Sequence, residues 1–392
     1  MPELSKRIST IVTSDGDGWD VHYRAQAMRR TGLDVTMLSV GDHDVKTDPK
    51  VLDAMMASAQ GGNLGYTSIQ GDRALRQAVA ERMNSTRSVG ASPENVMICA
   101  GGQGAIFATM MAVLDPGTSC IVLDPFYASF DITVRAAGGE AILVPTPAEQ
   151  GFQPDPKLIE SAIRPDTRAI LINTPNNPTG AVYETDRLRA ISEICARHDL
   201  WLISDELYDS QVFEGVHVSP RDLPDMVERT IVIGSMSKGF AMTGARICWA
   251  IGPVALIDRM VDLAGATTYG LPGFIQDAST FALTENAGQE AEVAARYRQR
   301  REIAIRVMSG ANRVRMSLPS GGMYVMLDVR ETGLSGNAFA ERLLDAEHIA
   351  VMPGESFGVA AAGHVRIAMT VADAELEDAL TRTLRFGESL TH

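Results

Sequence analysis

Lys238 lies in the stretch SMSKGFAMTGAR (235–246), between Ser237 and Gly239 and directly after the apolar run TIVIGS. An amine at the end of an apolar strand loses hydration, which lowers its pKa and makes it nucleophilic. Arg246, eight residues later, can hold an anion beside it. A reactive aldehyde that carries a phosphate would use both groups, and pyridoxal phosphate is such a molecule. A solvated loop lysine is the plainer alternative, so the reading depends on whether other residues supply what that cofactor needs.

Several do. Asp205 follows LWLIS, where a carboxylate is partly desolvated and needs a cation. The protonated nitrogen of a pyridine ring would serve; a helix N-cap is the alternative. Asn177, in the stiff turn NTPNNPTG (173–180), and Tyr208, three residues after Asp205, could both donate to a phenolate oxygen, or could simply pack. The segment AGGQGAIFATMM (100–111) is a glycine turn that opens a helix, a ready anion site. It matches no nucleotide-binding loop, so a single phosphate suits it better than a dinucleotide. Arg246 and the Ser235 hydroxyl would complete that cradle. Tyr127, in LDPFYASF, offers a face for a flat ring. Arg366 is a cation inside the apolar HVRIAMT, and a substrate carboxylate or an internal salt bridge would satisfy it. Gly41, in LSVGDHD, would let backbone approach the same carboxylate.

These groups must be held by a scaffold. VMICA (96–100), SCIVLDP (119–125), RAILINTP (168–175), LWLISDE (200–206), RTIVIGS (229–235) and ICWAIG (247–252) read as strands. Helical patterns lie between them, such as 184–199, where Leu188, Ile191, Ile194 and Cys195 share a face. Ile, Val and Leu in strands alternating with helices indicate an α/β fold with a mostly parallel sheet buried on both faces. Such sheets bind ligands beyond the carboxyl ends of their strands, where the candidate groups fall. The chain ends differ. A helix over 20–31, a long charged helix over 289–309, strands in GGMYVMLDV (321–329) and HVRIAMT (364–370), a helix over 336–346 and one from 372 suggest a smaller α+β unit built from both ends.

The chain has 392 residues and a formal charge of −14, which argues against sequence-independent binding to nucleic acid or to anionic membranes. No apolar run reaches membrane-spanning length, and MPELSKRIST lacks a signal-peptide core, so a cytoplasmic location is expected. The four cysteines are widely spaced in apolar stretches and form no C-x-x-C pair, so buried free thiols are expected and no metal site.

Taken together the chain resembles the class I and II pyridoxal-phosphate aminotransferases of fold type I, the aspartate aminotransferase superfamily, from about residue 20 to about 385. The resemblance rests on GDHD (41–44), GYTSIQGDRALRQAVA (65–80), GGQGA (101–105), DPFY (124–127), NTPNNPTGAVY (173–183), SDELYD (204–209), SMSKGFAMTGAR (235–246), PSGGMYV (319–325), MPGESFG (352–358) and HVRIAMT (364–370). It implies a large cofactor-binding domain over 47–288 and a small domain from 1–46 and 289–392. It implies that Lys238 holds the cofactor as an internal aldimine and then carries the proton in a ping-pong exchange between an L-amino acid and a 2-oxo acid. It further implies Asp205 at the pyridine nitrogen, Asn177 and Tyr208 at the ring hydroxyl, and Gly102, Gln103, Ser235 and Arg246 at the phosphate. Arg366, with Gly41 and Asn177, would take the substrate carboxylate. Tyr66 would serve the neighbouring subunit's site, which implies a homodimer. β-Elimination or other carbon-bond chemistry on the same cofactor is the alternative. Three positions depart from the family pattern: Ala245 where a bulky residue is frequent, GDHD where GDPD or GEPD is usual, and Gln103 where some aspartate-preferring relatives carry lysine. The last puts a preference for aspartate in doubt.

Overall fold

Ile, Val and Leu runs become strands because β-branched and bulky side chains pack well on a pleated surface. A computed structural model describes residues 2–9, 11–12, 19–86 and 88–390, apart from the side chain at 86. In chain order the strands are β1 (Thr36–Met37), β2 (Val96–Ala100), β3 (Ser119–Asp124), β4 (Glu140–Pro145), β5 (Thr167–Asn173), β6 (Trp201–Asp205), β7 (Thr230–Ser235), β8 (Ile247–Ile251), β9 (Arg315–Ser317), β10 (Tyr324–Asp328), β11 (Ile349–Ala350), β12 (Met352–Pro353) and β13 (His364–Ala368). Each of the sequence runs read as a strand forms one, with ends that coincide or shift by up to three residues.

The large sheet has the order β2-β8-β7-β6-β5-β3-β4. Strands β4, β3, β5, β6 and β7 run parallel, and β8 is antiparallel to both of its neighbours. The fold is therefore α/β with a mostly parallel sheet, as expected. Side-chain alternation sends neighbours to opposite faces. Cys120 and Val122 pack with Ile106, Met110 and Val134 on one face. Ile121 and Leu123 pack with Leu188, Ile191 and Ile194 on the other. That second face continues across β2, β7 and β8, where Ile98, Val232 and Trp249 meet Leu75, Val79 and Ala278.

The reversal of β8 matters for the site. The parallel strands end at one edge, with Asp124, Asn173, Asp205 and Ser235 as their last residues. β2 ends at that edge too, because it is antiparallel to β8 as β7 is. β8 begins there, so the residue before it, Arg246, stands beside the start of the helix Gly101–Val113.

A second sheet, β12-β13-β10-β9, is antiparallel, and β1 pairs with β11. One core joins Val21, Ala25, Val35 and Leu38 to Val325, Val365, Ile367, Leu343 and Leu376, so residues from both ends of the chain share it. The helix Gly288–Met308 turns Val293, Tyr297 and Ala304 into the same core. All four cysteines are buried and free. Among the described residues no helix is long and apolar enough to cross a membrane.

Candidate active site

At the strand-end edge lies a cavity of about 420 Å³. Its wall takes Gly102, Gln103, Tyr127, Asn177, Asp205, Tyr208, Lys238 and Arg246 from the large sheet's edge, Gly41 from the N-terminal segment, and Arg366 from β13. Ten of the residues singled out in the sequence thus meet in one place. Ser235 and Tyr66 do not line it. The Ser235 hydroxyl accepts from Ser237 N at 3.0 Å and lies 2.9 Å from the Ser237 hydroxyl, capping the short helix Met236–Gly239 from behind. Ser237 is the serine that faces the cavity. Tyr66 is 91% exposed and stands edge-on to Tyr269.

Lys238 sits where a strand of six buried residues turns into a helix. Burial pulls its ammonium down to about 8, and Arg366 and Arg246 push the same way against Asp42 and Asp205. Its Nζ donates to the Gly41 carbonyl at 2.6 Å. The Gly41 position needs glycine, because a Cβ there would strike the Tyr324 hydroxyl.

Asp205 is buried at the end of β6. Burial pushes its carboxyl up to about 7, opposed by one bond from Leu207 N at 3.2 Å and by Lys238. A cation set against this carboxylate would be strongly favoured. Asn173, on the neighbouring strand, fixes the turn that follows: it donates to the Asp205 carbonyl at 3.0 Å and accepts from Asn177 N at 2.7 Å.

Arg366 is 1% exposed, and among the described residues no carboxylate pairs with it. Its Nη1 donates to Asn177 Oδ1 at 2.9 Å, its Nη2 to the Ser39 carbonyl, and its Nε has no partner. The guanidinium is stacked between the rings of Tyr324 and Phe357, each 4.5 Å away. Burial holds its pKa below the ordinary arginine value. Of the two sequence alternatives, an internal salt bridge is thus not formed here.

The helix Gly101–Val113 opens without a side-chain cap. Its first N–H groups and its dipole are left for an anion, with Arg246 alongside. Arg246 has φ of 57° and donates to the Thr243 carbonyl at 2.8 Å. A Cβ at Gly101 would collide with the Arg246 guanidinium, so the glycine is what lets the arginine lie across the helix start. Gln103 presents its backbone there. Its amide is occupied elsewhere, donating to Thr133 and accepting from the Ser129 hydroxyl at 2.7 Å.

Tyr208 is buried, with its hydroxyl 3.1 Å from that of Tyr324, and burial pushes its phenol well above the usual value. Tyr127 is likewise raised by burial and stands in the wall. Trp19, Asp42, Ser237, Thr243 and Tyr324 line the cavity but were not singled out as site residues in the sequence. Tyr324 lay inside the motif PSGGMYV and Asp42 inside GDHD, so a signal existed for those two. The cavity fits pyridoxal phosphate: a buried carboxylate for its ring nitrogen, an uncapped helix with an arginine for its phosphate, and a partly buried amine for its aldehyde.

A family model described as aminotransferase class I and II matches residues 34–382. The chain is 40% identical over 370 residues to an arginine–pyruvate transaminase of Pseudomonas aeruginosa, covering 94% of each chain. It is 36% identical over 390 residues to the aspartate/prephenate aminotransferase of Thermus thermophilus, covering 98% of this chain and 99% of that one. The structure is similar to that of Thermus thermophilus aspartate aminotransferase with maleate, with a TM-score of 0.92 at 36% identity, covering 98% of this chain and 100% of that one.

Proposed function

We propose, for a chain that belongs to the class I and II aminotransferase family, that the cavity at the strand ends is its pyridoxal-phosphate site and that Lys238 is the anchoring lysine. The chain is a transaminase that moves an amino group between an amino acid and a 2-oxo acid. The observation that carries the site assignment is the meeting in one cavity of a partly buried amine, Lys238, with a buried carboxylate and a buried guanidinium, Asp205 and Arg366, that form no ion pair among the described residues.

Bound pyridoxal phosphate supplies an aldehyde that accepts the amino group and a ring that draws electrons from the α-carbon. The residues of the chain do the rest. The helix start at Gly101 and Gly102, with Arg246, Gln103 backbone and Ser235 or Ser237, binds the phosphate. Asp205 keeps the ring nitrogen protonated. Asn177 and Tyr208 donate to the ring hydroxyl, and Tyr127 covers a ring face. Arg366, with Asn177 and Gly41 backbone near it, clamps the substrate α-carboxylate. Lys238, an amine that burial holds largely ready to deprotonate, takes the α-proton and returns it. Between these acts the Gly41 carbonyl receives its Nζ. The large unit over 47–288 would carry the cofactor, and the unit from 1–46 and 289–392 the carboxylate clamp. Tyr66, exposed here, would complete the neighbouring site in a homodimer that works in the cytoplasm.

We further propose an amino donor whose side chain is not anionic. Once Lys238, Arg246 and Arg366 are assigned, no cation remains among the described residues of the wall, whereas Asp42 does. Arginine and pyruvate, the pair in the name of the relative at 40% identity, head the substrates to try. The test is a screen of single half-reactions by loss of the visible band of the bound cofactor, with pyruvate, ammonia and carbon dioxide assayed alongside. Cationic or neutral amino acids should bleach the band without ammonia or carbon dioxide. Aspartate as the fastest donor would overturn the side-chain reading, and stoichiometric ammonia would favour elimination.

A further inference from the structure

Gly41–Asp44, the GDHD segment, ties four neighbours in succession. The Gly41 carbonyl accepts from Lys238 at 2.6 Å. Asp42 Oδ1 accepts from the Thr243 hydroxyl at 2.7 Å. His43 Nδ1 lies 2.8 Å from the Tyr297 hydroxyl, with the two rings edge-on. Asp44 accepts twice from Arg300, at 2.7 Å each. A proline at this position could not make the bond to Tyr297, because its ring carries no free donor or acceptor.

The direction of that link follows from its surroundings. Burial pushes the Tyr297 phenol far up, so the hydroxyl keeps its proton and donates to Nδ1. Burial pulls His43 down to about 4, with Lys238 adding to the effect against Asp42, Asp44 and the Ser237 carbonyl. The ring is therefore neutral at ordinary pH, and its one proton is on Nε2. Nε2 is buried and has no hydrogen-bond partner among the described residues.

We propose that His43 is a positioning residue for Lys238: its bond to Tyr297 ties the Gly41–Asp44 segment to the helix Gly288–Met308 and so holds the Gly41 carbonyl against the lysine amine. The proposal rests on the reading of Lys238 as the anchor. The neutrality of the His43 ring keeps a further positive charge away from an amine that must lose its own proton. The groups that face that amine are Asp42, Asp205, Arg246 and Arg366, and none of them is altered below.

The experiment follows the full-length, cofactor-free chain as pyridoxal phosphate is added, reading the growth rate of the visible band across pH. Only the neutral amine adds to the aldehyde, so the wild-type rate rises with pH through a midpoint near 8. His43→Pro should admit water beside Lys238, relieve its desolvation and raise the midpoint by about one pH unit, a tenfold loss of neutral amine below it. Tyr297→Phe should shift it the same way, and the double variant no further, because both cut one linkage. His43→Asn, whose Oδ1 keeps an acceptor near the Nδ1 position, should stay close to wild type. Unchanged midpoints in His43→Pro and Tyr297→Phe, even with a lower melting temperature, would mean a structural role only and overturn the proposal. Additive shifts would overturn it as well. If borohydride fixes the wild-type band on a residue other than Lys238, the anchor reading fails first, and that result is distinct from unshifted variants on a confirmed anchor.

Discussion

Arg366 and Asp205 set opposite electrostatic demands a short way apart in one wall. A buried guanidinium stacked between two rings and bonded only to neutral oxygens is costly until a carboxylate arrives. Arg366→Ala should therefore raise KM for the amino acid about 10–100-fold, the worth of a charge-assisted contact at ~1.5–3 kcal/mol, and leave the visible cofactor band intact. A change confined to cofactor affinity would show the clamp to be misassigned. Asp205 asks for a cation. Its folded pKa is raised to about 7 from 3.8, so the folded chain keeps a proton that the unfolded chain releases. That contribution to the cofactor-free protein is present at acid pH and lost as pH rises between those values. A bound pyridinium would remove the penalty. The rise in melting temperature on adding pyridoxal phosphate should thus be larger at about pH 8 than at about pH 5, and Asp205→Ala should flatten that difference. The same variant should lose about 100-fold or more in kcat, roughly 3 kcal/mol of barrier.

The elements explain why these residues meet. Parallel strands carry Asn173, Asp205 and Ser235 to one edge, and the reversed β8 returns Arg246 to it. Gly101 lets that arginine cross the helix start, with φ of 77° and no room for a Cβ. Gly101→Ala should weaken pyridoxal-phosphate binding about tenfold or more, through loss of one phosphate contact, while the far-ultraviolet circular dichroism stays native. Unaltered cofactor affinity would remove the helix start from the phosphate site. Much of this scaffold was legible. Buried strands bounded by turns announce themselves by composition, and most site residues sat at their ends. β4 was missed although EAILVP carries Ile, Leu and Val in a row; it lies at the sheet edge with one of its six residues buried. The direction of β8 was equally hidden, since a buried strand looks the same either way. Tyr324, Asp42 and Trp19 reach the cavity from segments far from the lysine in sequence, through tertiary packing that local pattern does not encode. Ser235 and Ser237 are two residues apart, and only the backbone turn after β7 decides which hydroxyl faces the cavity.

At the scale of the molecule, Tyr66 is 91% exposed and meets Tyr269, itself 53% exposed, edge-on; Leu64, two residues earlier, is 67% exposed. A patch of this kind fits a second copy of the chain. Sedimentation should give twice the 42.1 kDa of one chain. If Tyr66 serves the neighbouring site, mixing Lys238→Ala with Tyr66→Ala subunits should restore one site of wild-type cofactor affinity per hybrid dimer; sites closed within one chain would leave every site defective. All of this depends on one covalent assignment. The most direct measurement incubates the protein with pyridoxal phosphate, reduces it with borohydride and maps the modified peptide by mass spectrometry. The pyridoxyl group should be found on Lys238, within SMSKGFAMTGAR, and be absent from Lys238→Ala; label on another lysine, with Lys238 unmodified, would contradict the assignment.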